Sequence, residues 1–191
     1  MVVAGDREFQ FSGRLALDLT WTLRYRAVSP TDLLGSPADL GRWITAAVAP
    51  VRSPLDPGHL ASAVELREAV YAGATSRIAG TAVRRDVRTI INDWAARPGP
   101  FRSLEVHDGA SLRLRPDAEF ESALAAVALD AVDLLATADG RLRLCEGPEC
   151  SLVFYDSSRP GTRRWCSTAR CGNRVNTTTY RRRRAVEQPN T

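Results

Sequence analysis

The sequence predicts an α+β protein: a mainly helical N-terminal domain with one β-hairpin, then a small cysteine-rich module. Three observations predict it. Apolar residues recur at helical spacing over most of residues 36–135. One stretch, residues 103–116, switches to alternation around an Asp-Gly pair. All four cysteines fall between positions 145 and 171.

The first apolar patch, Gly13 to Arg26, has no clean period and fits a strand or a short helix. In "SPADLGRWITAAV", Ser36 is a natural N-cap, Pro37 fits the first helical position, and Asp39 suits the positive helix end. Asp56 and Pro57 repeat that opening. Leu60, Val64, Val70, Tyr71 and Ile78 then keep helical spacing up to Gly80. A further helix is expected from Thr81, with Val83, Val87, Ile90, Ile91 and Trp94 on one face, stopped by "RPGP". Leu104 and Val106 alternate, Asp108-Gly109 turns the chain, and Leu112 and Leu114 alternate again. From Asp117 the helical pattern returns through Phe120, Leu124, Val127, Ala131, Leu134 and Leu135, ending near Asp139-Gly140. Residues 1–139 therefore form the expected first domain, 140–184 the module, and 185–191 a disordered tail.

The 44% hydrophobic and 25% charged residues are ordinary for a soluble globular protein. No apolar run is long enough to span a bilayer. The first ten residues lack the basic start and apolar core of a signal peptide. The expected location is the cytoplasm, where thiols stay reduced.

The cysteines are spaced Cys145-x4-Cys150, fifteen residues, Cys166-x4-Cys171. Two such pairs separated by a small hairpin are the layout of a tetrahedral thiolate site. Zinc suits four thiolates because it accepts tetrahedral geometry and has no redox chemistry, with iron as the competing metal. Four protein ligands leave no open position, so one structural zinc is expected. "RLRLC" and "SLVFYD" supply two strands. Leu152, Val153, Tyr155 and Trp165 are the candidate miniature core.

Charge is concentrated in the same place. The chain has 26 basic residues and all are arginine. Eleven of them lie between Arg141 and Arg184, against only Glu146, Glu149 and Asp156, a local net charge of +8. The rest of the chain is net negative, which points to an anionic partner for the module. A helix from about Thr168, capped by Ser167, would place Arg170, Arg174, Arg181 and Arg184 along one side. Such a stripe fits the DNA major groove, with Arg159, Arg163 and Arg164 reaching phosphates. RNA or an acidic protein is the alternative partner. A structural part for Arg174, pairing with Asp156, is a further reading.

At "RRWCSTARCGNR" the chain resembles the CGNR zinc-finger family. "LCEGPEC" and "FYDSSRPGTRRWC" fit it in order and spacing, with Asp156, Ser158 and Arg159 matching its acidic-x-Ser-Arg step. "LALDLTWTLRYR", "DLLGSPADLGRWI" and "ELREAVY" resemble the ABATE domain usually fused to that finger. Trp21-Thr22 stands where that family commonly reads Asn-Thr, and Val175-Asn176 follows the CGNR motif where a basic residue is common. The resemblance implies a treble-clef zinc module and a stress-linked transcription regulator.

Asp18 lies inside an apolar run. It is either a structural carboxylate paired with Arg24 or Arg26, or part of a small-molecule pocket with Trp21 and Trp43. His59 and His107 read as exposed, and neither belongs to a nucleophile–base arrangement. With no phosphate loop and no open metal position, an enzyme is not expected.

Overall fold

A computed structural model of the chain describes residues 8–99, 102–107, 111–116, 119–137 and 139–175, the two hairpin strands by their backbone alone. The elements run α1 (Leu15–Thr20), β1 (Leu23–Arg24), β2 (Thr31–Asp32), α2 (Pro37–Ala47), α3 (Pro57–Ile78), α4 (Arg85–Ala95), β3 (Arg102–His107), β4 (Ser111–Pro116), α5 (Phe120–Ala136), β5 (Leu142–Leu144) and β6 (Val153–Tyr155). A π-helical turn over Thr168–Gly172 follows. The strands pair antiparallel in twos: β1 with β2, β3 with β4, β5 with β6. Among the described residues no helix is long and apolar enough to cross a membrane.

The ambiguous first patch divides. Leu15–Thr20 winds into a helix whose every residue after Leu15 is buried, and the chain then turns into β1. The cap signals of α2 and α3 act as expected. The Ser36 hydroxyl accepts from the Asp39 N–H. Asp56 accepts from the His59 N–H, and His59 Nδ1 accepts in return from the Asp56 N–H. His59 is thus a half-buried capping residue, its ring edge-on to Phe120 at 4.4 Å, and not the exposed side chain expected.

Helix α4 begins at Arg85 and not at Thr81. Gly80 turns the chain at φ +68, and the Thr81 hydroxyl donates back to the Ser76 carbonyl. Those bonds close α3 and leave Val83 packed against the core outside any helix. Val87, Ile91 and Trp94 are the buried face of α4. The hairpin register sets Leu104 opposite Leu114 and Val106 opposite Leu112. The expected turn at Asp108-Gly109 lies outside the described residues, as does Asp117.

The long helix α3 is the axis of the domain. Helices α1, α2, α4 and α5 pack on it, and α5 also meets α1 and α4. Trp43, Leu17, Leu66, Val70, Leu124 and Val127 have essentially no exposed surface. A fully buried side chain of this size stabilises by about 1.5–3 kcal/mol. Strands β5 and β6 dock on α3 as well. Val153 is fully buried in the helical core and Tyr155 packs against it, so neither belongs to a separate miniature core in the cysteine module.

Candidate metal centre and its surroundings

Each cysteine is held by a local device. Cys145 follows β5, and its N–H donates to the carbonyl of Leu152, the residue just before β6. The next residues form a tight knuckle, with Glu149 in the left-handed region at φ 63. Gly147 admits no side chain: a Cβ there would lie 2.8 Å from both Cβ and Sγ of Cys171. Cys166 ends the loop that returns from β6. Cys171 sits in the π-helical turn, whose start is capped by Ser167 accepting from the Arg170 N–H.

These devices gather the four sulfurs within 4.8 Å of one another. Cys150 and Cys166 are 3.9 Å apart, and Cys166 and Cys171 are 3.7 Å apart. Thiolates at about 2.3 Å from a zinc ion define a tetrahedron with edges of about 3.8 Å. The spacing therefore fits zinc. Backbone N–H groups support the sulfurs: Gly147 and Cys166 donate to Cys145 Sγ at 3.4 and 3.2 Å. Crowding sets the thiols against one another. A hydrogen bond with Cys150 holds the Cys145 thiol far below its ordinary range, and one with Cys145 holds Cys166 far above it. A divalent cation removes that conflict, because all four can then ionise around it.

Residues 141–184 match the CGNR zinc finger, and residues 13–138 match ABATE, described as "Putative stress-induced transcription regulator". The chain belongs to the ABATE family. No curated protein matches it significantly. The matched families are of regulator and zinc-finger type and not enzyme families. Cys145, Cys150, Cys166 and Cys171 are the four finger ligands that could hold one zinc ion.

The finger of this ABATE chain is fastened to the helical domain by polar bonds. Trp21 is 5% exposed, belongs to the finger's apolar cluster with Leu152, Phe154 and the cysteines, and donates from Nε1 to the Val153 carbonyl at 2.6 Å. Arg67 is nearly fully buried and grips Asp32 through both terminal nitrogens, at 2.7 and 2.8 Å. Its Nε donates to Glu68, which also receives Arg26. Burial pushes the Glu68 carboxyl up, but hydrogen bonding and charge from Arg26 and Arg67 overcome it and leave it lowered. Arg26 lies over the Tyr71 ring at 3.9 Å, the Tyr71 hydroxyl donates to the Ser151 carbonyl, and the Arg26 N–H donates to the Ser151 hydroxyl. The network ends beside Cys150. Nothing in sequence spacing marks it, since its members come from four separate elements and loops.

Asp156 is the organiser of the loop before Cys166. It is fully buried and accepts from the Ser158 hydroxyl and N–H and from the Arg163 N–H. The Ser158 hydroxyl chiefly holds its carboxyl below the usual range. The Asp-x-Ser pattern was the visible signal for this turn. Arg141 and Arg143 support the same loop by donating to the Asp156, Ser158 and Gly161 carbonyls.

The arginines singled out from the sequence separate into groups. Arg159 and Arg164 are exposed, Arg164 paired with Glu146 and lying over the Trp165 ring. Arg163 is half-buried over the Phe154 ring and donates to the Cys166 carbonyl. Arg170 and Arg174 turn toward the helical domain: Arg170 donates to Gln10, and Arg174 donates to the Tyr25 hydroxyl. Arg174 therefore does not pair with Asp156, as one reading of the sequence expected. Arg24, Arg170 and Arg174 share one tight crevice with Cys150, Cys166 and Cys171. That sets positive charge beside a centre that four thiolates and one zinc would leave at net −2. Arg181 and Arg184, with the rest of the expected stripe and the tail, lie outside the described residues.

Asp18, Trp21 and Trp43 do not converge. Asp18 accepts from the Ser12 N–H and hydroxyl, and burial pushes its carboxyl up. Of the two arginines expected to pair with it, Arg24 donates to the Glu8 carbonyl and Arg26 to the Glu68 carboxylate. Trp43 has no exposed surface and sits in the helical core. Trp21 alone of the three lines a groove between the segment before α1 and the finger.

Proposed function

We propose that this ABATE protein is a DNA-binding transcription regulator, with residues 1–139 and 140–184 as its two working units. The finger contacts DNA, and the helical unit senses a small molecule or mediates association. The observation that carries this reading is the concentration of eleven arginines on a zinc-held module with only three acids. Exposed Arg159 and Arg164 supply phosphate contacts from the loop before Cys166. Arg181 to Arg184 supply the remaining charge. Arg141 and Arg143 serve the loop itself.

The test is selection of bound sequences from random DNA, followed by affinity against salt. Each phosphate contact contributes a log–log slope of about −0.9, so four or five contacts give roughly −4. Arg164→Ala weakens all sequences alike and reduces the slope by about one. Absence of binding at low salt would sink the reading.

One observation favours a second reading, an RNA-binding or protein-interaction adaptor with structural zinc. Arg170 and Arg174, the first members of the proposed groove-reading stripe, are engaged by Gln10 and Tyr25. Enrichment of RNA over DNA in the same selection would bring that reading forward.

A further inference from the structure

The groove beside Trp21 has a volume of about 740 Å³, within the range of small-molecule sites. One wall is the segment from Phe9 to Ser12, and the other comes from Tyr155, Arg163 and the start of the π-helical turn. Its chemistry is one-sided. Two guanidiniums, Arg163 and Arg170, line it together with five aromatic rings, and among the described residues no carboxylate does. Of the neighbouring acids, Asp18 is committed to Ser12, and Asp156 to Ser158 and the Arg163 N–H, while Glu8, next to Phe9 in the chain, is exposed and does not line the groove.

Arg163 has donors to spare. A guanidinium carries five N–H bonds. The Arg163 side chain gives one to the Cys166 carbonyl at 2.7 Å while lying over Phe154. Across the groove, Phe11 is 46% exposed, a large apolar ring left uncovered at the rim. A ring to stack on and a fork for a carboxylate together select a flat, negatively charged ligand. Arg159 and Arg164, the exposed arginines of the same loop, do not line the groove. The groove is thus distinct from the phosphate contacts proposed for Arg159 and Arg164.

We propose that this groove binds a small planar aromatic carboxylate, its ring against Phe11 and Tyr155 and its carboxylate on Arg163. This rests on the reading of the helical unit as a sensor, and it moves the sensing site away from Asp18 and Trp43. It also supplies the coupling. Cys166 is at once a groove residue and a zinc ligand, and Trp21 joins the groove to β6. A bound anion would pull on Arg163, in the loop that presents Arg164.

The experiment titrates the zinc-loaded full-length chain with 2-naphthoate, following tryptophan fluorescence and melting temperature. The neutral analogue 2-naphthalenemethanol is the control. Saturable naphthoate binding is expected, with the neutral analogue at least about tenfold weaker. Phe11→Ala and Arg163→Gln should each weaken naphthoate about tenfold with one zinc still bound. Phe11 is exposed, so its variant reports on the site even if Arg163→Gln disturbs the loop. Equal binding of the neutral analogue, or naphthoate affinity unmoved by both variants, overturns the proposal. So does displacement of naphthoate by a short DNA duplex, which would make the groove part of the DNA face. Naphthoate binding that leaves DNA affinity unchanged upholds the site and removes the sensing role. DNA binding without naphthoate binding removes the site and leaves the regulator reading standing.

Discussion

Val153 and Phe154 are neighbours in β6, yet their side chains belong to different cores. Val153 points into the helical domain and joins a cluster built from every helix. Phe154 points into the finger and joins the smaller apolar cluster of Trp21, Leu152, Trp165 and the cysteines. The first core is made of apolar burial, and its caps and turns follow local rules. The second is too small for burial to suffice. It relies on a metal, on buried Asp156, and on Trp21 borrowed from the chain after α1. The difference teaches where each region is vulnerable: the helical core to loss of volume, the finger to loss of a ligand or a hydrogen bond.

Metal removal should separate the two regions most sharply. Structural zinc contributes on the order of 10 kcal/mol in small fingers. Cys166→Ser, or a strong chelator, should abolish zinc binding and disorder residues 141–175, while far-ultraviolet circular dichroism retains most of its helix signal. Because Val153 and Tyr155 belong to the helical core, the melting temperature of the remainder should also fall. A helix signal lost together with the zinc would show that the cores are one cooperative unit.

Trp21 is the joint between the cores, so its loss should be felt in both. Trp21→Ala should cost about 3–5 kcal/mol by urea titration, in the range of other large-to-small core changes. Trp21→Phe keeps most of the apolar surface and leaves the Val153 carbonyl without its donor, a cost of about 1–3 kcal/mol. Zinc transfer to a chromophoric chelator should speed up in both variants. An unchanged transfer rate would confine Trp21 to the helical domain.

The smallest effect is a difference in sign between two buried carboxylates. Burial raises the Asp18 carboxyl above its ordinary 3.8. Its folded state is therefore favoured fully below that value, and stability is lost as pH rises through the raised one. The Ser158 hydroxyl lowers Asp156 below 3.8, so its contribution is present above that value and is lost as pH falls through the lowered one. Asp18→Asn should flatten the fall in stability as pH rises from 4 toward neutrality. Asp156→Asn should instead reduce stability at neutral pH and blunt acid unfolding. Stability curves from chemical denaturation at stepped pH would read both slopes, and equal signs would refute the contrast.

Much of this molecule was written locally. The caps at Ser36 and Asp56, the alternation of β3 and β4, the periodicity of α5 and the spacing of the four cysteines depend on residues a few positions apart, so the sequence determines them directly. Short-range chemistry also explains the Asp156–Ser158 turn. Tertiary structure alone decided what long-range contacts control. Trp21 became a bridge to the finger and not a partner of Asp18, because β6 passes within hydrogen-bonding distance of its indole. Arg170 and Arg174 turned inward because Gln10 and Tyr25 lie across from the π-helical turn. The fate of a long arginine side chain is set by which acceptors the fold brings near its tip, and a residue's position along one helix carries no information about them.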